Sequence, residues 1–122
     1  VGYLAHEPGG SNDNGTIAPT AALASMPYTP NQSLAALKHF YRNLGARLWG
    51  PMGFYDAYNE TLDWYATSYL AIDQGPIIGM IENYRTELLW KNFMSDPEIQ
   101  QGLRRAGFVP DSTLVSTTDL PT

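Results

Sequence analysis

The chain has 122 residues, about one ordinary domain, with seven Lys and Arg against twelve Asp and Glu and a formal net charge of −5. That balance disfavours nucleic acid, whose phosphates need a basic surface, and it disfavours an anionic membrane face. A hydrophobic fraction of 43% excludes a chain disordered throughout, the lack of cysteine excludes disulfides and thiol chemistry, and no apolar run approaches the ~20 residues of a membrane span.

Taken in chain order, residues 8–15 read Pro-Gly-Gly-Ser-Asn-Asp-Asn-Gly and predict a loop. Pro19 suits a first helical turn and Pro27 a stop, so a short helix is expected near 19–26. Thr29-Pro30-Asn31-Gln32 supplies a capping Thr, Pro at the first helical position and Gln three residues after the cap. Leu34, Leu37, Tyr41, Leu44 and Leu48 then recur at helical spacing, which predicts a helix over about 30–44 with Gly45 as its stop or kink.

Residues 49–72 hold seven aromatics, Trp49, Phe54, Tyr55, Tyr58, Trp64, Tyr65 and Tyr69, broken by Gly50, Pro51, Gly53 and Asn59. This pattern predicts a long functional loop with at most a short strand or helical turn. Pro76 fits the first position of the next helix, with Gln74 or Gly75 near its cap. Ile77, Met80, Ile81, Tyr84, Leu88 and Phe93, widened by Ile78, Leu89 and Trp90, predict that this helix is buried on much of its circumference. Asp96-Pro97-Glu98 caps one more helix that ends at Gly107, and residues 109–122 read as an extended or mobile tail. The expected fold class is therefore all-α, with four helices, long loops and no convincing sheet.

Few residues offer catalytic chemistry. There are only two histidines, His6 and His39, and neither has the spacing of a metal pair. No phosphate-cradling glycine loop and no strained nucleophile elbow is present. Charged residues are scarce at 16%, while eight Tyr and three Trp are plentiful. That combination suits an uncharged polyhydroxylated ligand, or else the rings simply fill a core. Carboxylates set among polar and aromatic loops form the informative group: Glu7, Asp13, Asp56, Asp63 and Asp73. Glycoside hydrolysis uses two such groups, an acid for the leaving oxygen and a base or nucleophile opposite it. Asp73 sits where a helix N-terminus favours the ionised form, which suits either a base or a structural cap. Asp13 lies in ordinary turn chemistry, and Asp63 beside Trp64 is either loop surface or a ligand contact.

Four segments resemble one family. They are Asp13-Asn14-Gly15-Thr16-Ile17-Ala18-Pro19-Thr20-Ala21-Ala22, Gly53-Phe54-Tyr55-Asp56-Ala57-Tyr58-Asn59, Tyr69-Leu70-Ala71-Ile72-Asp73-Gln74-Gly75-Pro76 and Met80-Ile81-Glu82-Asn83-Tyr84-Arg85. In this order they resemble the bacterial glycoamylase-like domain of glycoside hydrolase family 144, the endo-β-1,2-glucanases. The resemblance implies an (α/α)6 toroid with a sugar cleft at one end. It also implies hydrolysis of β-1,2-glucan with inversion, without metal or organic cofactor. It places Asp73 at an acidic position needed for activity, read as the base-side carboxylate. Tyr55, Asp56 and Trp64, with Asp13 and Glu7, then become substrate-binding residues.

Twelve helices of ~15 residues with ~6-residue connectors need roughly 250 residues. Residues 1–108 are accordingly expected to be a C-terminal portion of a glycoamylase-like catalytic domain, followed by the 109–122 tail. The resemblance makes the partners an oligo- or polysaccharide and either an N-terminal segment of the domain or another chain. Either of these two would cover an apolar face left open here. This portion is expected to be inactive without the N-terminal part of the domain. A periplasmic or secreted location follows from the resemblance, with any signal removed or outside the chain. The competing readings are a non-catalytic carbohydrate-binding module and a structural helical segment.

Overall fold

A computed structural model describes residues 7–110. The fold is mainly helical, in the order α1 (Pro19–Leu23), α2 (Pro30–Arg42), α3 (Gly45–Leu48), β1 (Trp49–Gly50), β2 (Gly53–Phe54), β3 (Tyr58–Asn59), β4 (Trp64–Tyr65), α4 (Ala71–Thr86), α5 (Leu88–Met94) and α6 (Pro97–Arg105). These elements form two compact units, one ending at Leu88 and the other beginning at Leu89. Of the expected tail, residues 111–122 lie outside the described residues, as does His6.

In the first unit, α1 is shorter than the proline punctuation predicts. The Met26 N–H bonds the Leu23 carbonyl at 3.2 Å, and the Ser25 hydroxyl bonds back to the Ala21 carbonyl at 2.8 Å, so the chain tightens out of the helix before Pro27. Helix α2 opens at Pro30 as expected, but Thr29 does not cap it. Its hydroxyl donates to the Ser25 carbonyl at 3.3 Å and lies against the Ser33 hydroxyl. The buried face of α2 carries Ser33 and Phe40, while Leu34 and Tyr41, expected inside, are exposed.

Leu23, Phe40, Leu48, Phe54, Tyr58 and Ile77 make the core. Phe40 is its hub. It meets Phe54 edge-on at 6.0 Å and Tyr58 at 5.7 Å between ring centroids, the geometry that ring quadrupoles favour. The aromatic stretch after α3 is not one long loop. It folds as two antiparallel hairpins, β1–β2 and β3–β4, each strand two residues long. The first turns at Gly53 with φ 104°, and the second passes through Asp63 with φ 49°. Ile17 pairs with Tyr58 as an isolated bridge, and the fully buried Asn59 beside it donates to the Asn14 carbonyl and the Thr16 hydroxyl while accepting the Leu62 N–H.

Helix α4 starts five residues before the proline expected to open it. The Leu70 carbonyl already accepts the Asp73 and Gln74 N–H groups at 3.0 Å each, so the first turn forms upstream and Pro76 lies inside the helix. The helix also stops sooner. Glu87 is left-handed (φ 58°, ψ 20°) and the Thr86 hydroxyl accepts the Leu88 N–H at 3.2 Å, which separates α4 from α5. Ile77 is buried, but Ile78, Leu88, Leu89, Trp90 and Phe93 are exposed, so the expected burial on much of the circumference is corrected.

In the second unit, Asp96 caps α6 through its Oδ1, which accepts the Glu98 and Ile99 N–H groups. Gly107, at φ 83°, follows the helix end as expected.

Candidate active site

The first turn of α4 is fastened on two sides. The Thr20 hydroxyl of α1 donates to the Asp73 carbonyl at 2.8 Å, and the Gln74 side-chain amide donates to the Phe54 carbonyl of β2 at 2.8 Å. Asp73 is half-buried there, at the positive end of a 16-residue helix.

Asp56 follows β2 by two residues, and its N–H bonds the Ser68 carbonyl at 3.1 Å. With Trp64, Tyr65, Ala66, Thr67, Ser68 and Leu70 it lines a cleft of about 400 Å³. Its Oδ1 is buried without a hydrogen-bond partner. Burial first, then hydrogen bonding and like charge from the Asp73 carboxyl, push Asp56 up to about 6. Two carboxyls so placed favour a state in which one is neutral and the other ionised. Such a pair beside a half-buried Trp64 can handle a proton next to an aromatic ring.

The other sequence-selected residues lie elsewhere. Tyr55 packs against Tyr69 with centroids 4.9 Å apart and is not among the residues lining this cleft. Asp13 accepts the Gly9 and Gly15 N–H groups at 2.7 and 3.1 Å, and Glu7 borders a hollow of about 250 Å³ with Gly10, Ser11 and Asn12. Asp63 is engaged by Arg47, whose guanidinium pairs with its carboxylate, donates to its carbonyl at 3.1 Å and lies 3.9 Å above the Tyr65 ring. His39 stands 3.6 Å from the Glu60 carboxylate on the surface.

Thr20, Gln74 and Ser68 belong to the site without having been singled out. Gln74 was open to detection as the neighbour of Asp73 in a helix-opening motif, whereas Thr20 acts from 53 residues away and gives no local signal. Among the described residues no group of three or more His, Cys, Asp or Glu is arranged to hold a metal ion, and no helix is long and apolar enough to cross a membrane.

The Glycoamylase family model matches residues 1–97. Over 103 residues the chain is 52% identical to an exo-β-1,2-glucooligosaccharide sophorohydrolase (non-reducing end) of Parabacteroides distasonis, covering 84% of this chain and 14% of that protein. The endo-β-1,2-glucanase of Chitinophaga pinensis, solved with sophorotriose and glucose, is 59% identical with a TM-score of 0.82, over 85% of this chain and 25% of that one. The β-1,2-glucanase of Parabacteroides distasonis gives 52% identity and a TM-score of 0.81, over 84% of this chain and 15% of that one. The chain therefore spans about a seventh to a quarter of the length of these relatives.

Proposed function

The chain belongs to the Glycoamylase family, and from that premise we propose that it forms one part of a longer glycoside hydrolase that cleaves β-1,2-glucan. In this reading its helices are a C-terminal portion of an (α/α)6 toroid, and the enzyme acts outside the cytoplasm, where polymeric glucan is met. The observation that carries the reading is the placement of Asp73: fixed at a helix N-terminus by Thr20 and flanked by Asp56, which opens on the Trp64 cleft.

Asp73 acts as the base-side carboxylate. It takes the proton from a water that attacks the anomeric carbon, while an acid supplied by the remainder of the enzyme protonates the leaving oxygen. Attack by water on the face opposite the leaving group gives inversion. Trp64 offers a ring face to the sugar, and Asp56 offers a carboxyl to its hydroxyls. The low charge of the chain matches a neutral substrate.

A chimera tests this. The chain replaces the matched quarter of the Chitinophaga pinensis glucanase. The expected result is release of short oligosaccharides from β-1,2-glucan, abolished by Asp73→Asn with the circular dichroism spectrum unchanged. Undiminished cleavage by Asp73→Asn removes Asp73 from the mechanism. Glucan binding without any product marks a binding module.

A further inference from the structure

Binding a sugar hydroxyl does not account for the buried half of Asp56. Its Oδ1 is enclosed with no donor to satisfy it, and the Asp73 carboxyl stands beside the same side chain. The juxtaposition is built into the backbone. The Gln74 amide fastens the first turn of α4 to β2, two residues before Asp56, and the Asp56 N–H fastens the same segment to Ser68 on its other side.

An ionised Asp56 would combine the cost of a buried, unsatisfied oxygen with repulsion from a second carboxylate. A neutral Asp56 escapes the repulsion, lowers the cost of the enclosed oxygen from that of a charge to that of a neutral polar atom, and gains an O–H to donate. Across from it, α4 contributes Asp73, and the cleft wall contributes Trp64, Tyr65, Thr67 and Ser68, none of them cationic. Among the described residues, neither Asp56 nor Asp73 has an ion-pair partner.

Resting on the hydrolase reading above, we propose that Asp56 is a positioning residue for Asp73. In its neutral form it donates its O–H to the Asp73 carboxyl, holding that group toward the attacking water. The proton on Asp56 is kept through turnover, and the proton released by water goes to Asp73. As pH rises through about 6, Asp56 ionises, the donor is lost and its charge no longer favours a carboxyl beside it.

The experiment uses the full-length chimera. Asp56→Ala lowers kcat by about tenfold to a hundredfold, the scale expected when a reacting group loses its orientation. Asp56→Asn, which keeps the size and a donor, recovers most of that loss. It also lacks the fall in kcat that the parent chimera shows as pH rises through about 6. A residue that only binds a hydroxyl would raise KM and leave the pH limb in place.

If Asp56→Asn is as slow as Asp56→Ala, or keeps the same falling limb, the pair proposal is overturned while the hydrolase reading stands. If the parent chimera cleaves no glucan, the hydrolase reading fails and this proposal fails with it. A carboxyl NMR titration gives a readout independent of activity. Asp73→Asn should move the Asp56 titration downward, and an unmoved titration overturns the pairing.

Discussion

The Gln74 side-chain amide donates to the Phe54 carbonyl across 20 residues of sequence, and this one bond sets the first turn of α4 against the hairpin that leads to Asp56. Replacing Gln74 with Leu leaves that carbonyl without its donor, at a cost of about 1–3 kcal/mol. Because the turn also carries Asp73, kcat in the chimera should fall by more than KM rises. Thermal melting and steady-state kinetics check the two parts separately.

Asn59 has no exposed surface and serves three partners, the Asn14 carbonyl, the Thr16 hydroxyl and the Leu62 N–H. Asn59→Leu removes all three and should cost about 3 kcal/mol or more, since each buried group left unpaired carries its own penalty. Denaturant titration measures it. A loss below about 1 kcal/mol would show that water readily replaces the side chain.

A Cβ built on Gly50 would overlap the Tyr69 hydroxyl and stand 2.8 Å from the Tyr55 ring. Gly50→Ala should therefore destabilise by about 1–3 kcal/mol. Tyr69→Phe deletes the hydroxyl that the added methyl would meet. Combined, the two changes should cost less than Gly50→Ala alone, a non-additivity that melting curves of the three variants report.

Asp56 also makes stability depend on pH. Its folded-state value of about 6 lies above the ordinary 3.8, so the folded chain binds this proton more tightly than the unfolded one. The associated stabilisation is complete below 3.8 and is lost as pH rises through about 6. Asp56→Asn cannot ionise, so its melting temperature should gain on the parent between acidic and neutral pH. A constant difference across that range would contradict the assignment.

Local chemistry made some of this legible. Pro30 and Asp96-Pro97 marked the starts of α2 and α6 because their signals are contained within one helical turn. Pro76 misled, since its ring fits a first turn but is also accommodated inside α4 once Leu70 has begun the helix. The break at Glu87 was invisible, because glutamate favours helix and only the fold imposes its left-handed backbone. The run from Leu88 to Phe93 is apolar at helical period, yet periodicity states which residues are apolar and not whether anything covers them. Asp73 stood out in Ile-Asp-Gln-Gly-Pro, whereas its ties to Thr20 and to the Asp56 segment join parts of the chain that no short motif connects.

The bridge between Ile17 and Tyr58, two backbone hydrogen bonds of 2.8 and 2.9 Å, closes a loop that contains α1, α2, α3 and the first hairpin. Closing a long loop spends chain entropy before its contacts repay it, so this bridge belongs to the late steps of folding. Ile17 is consequently a gate on the way out rather than on the way in. Weakening it should quicken the opening of the folded chain and leave the rate of its formation nearly untouched.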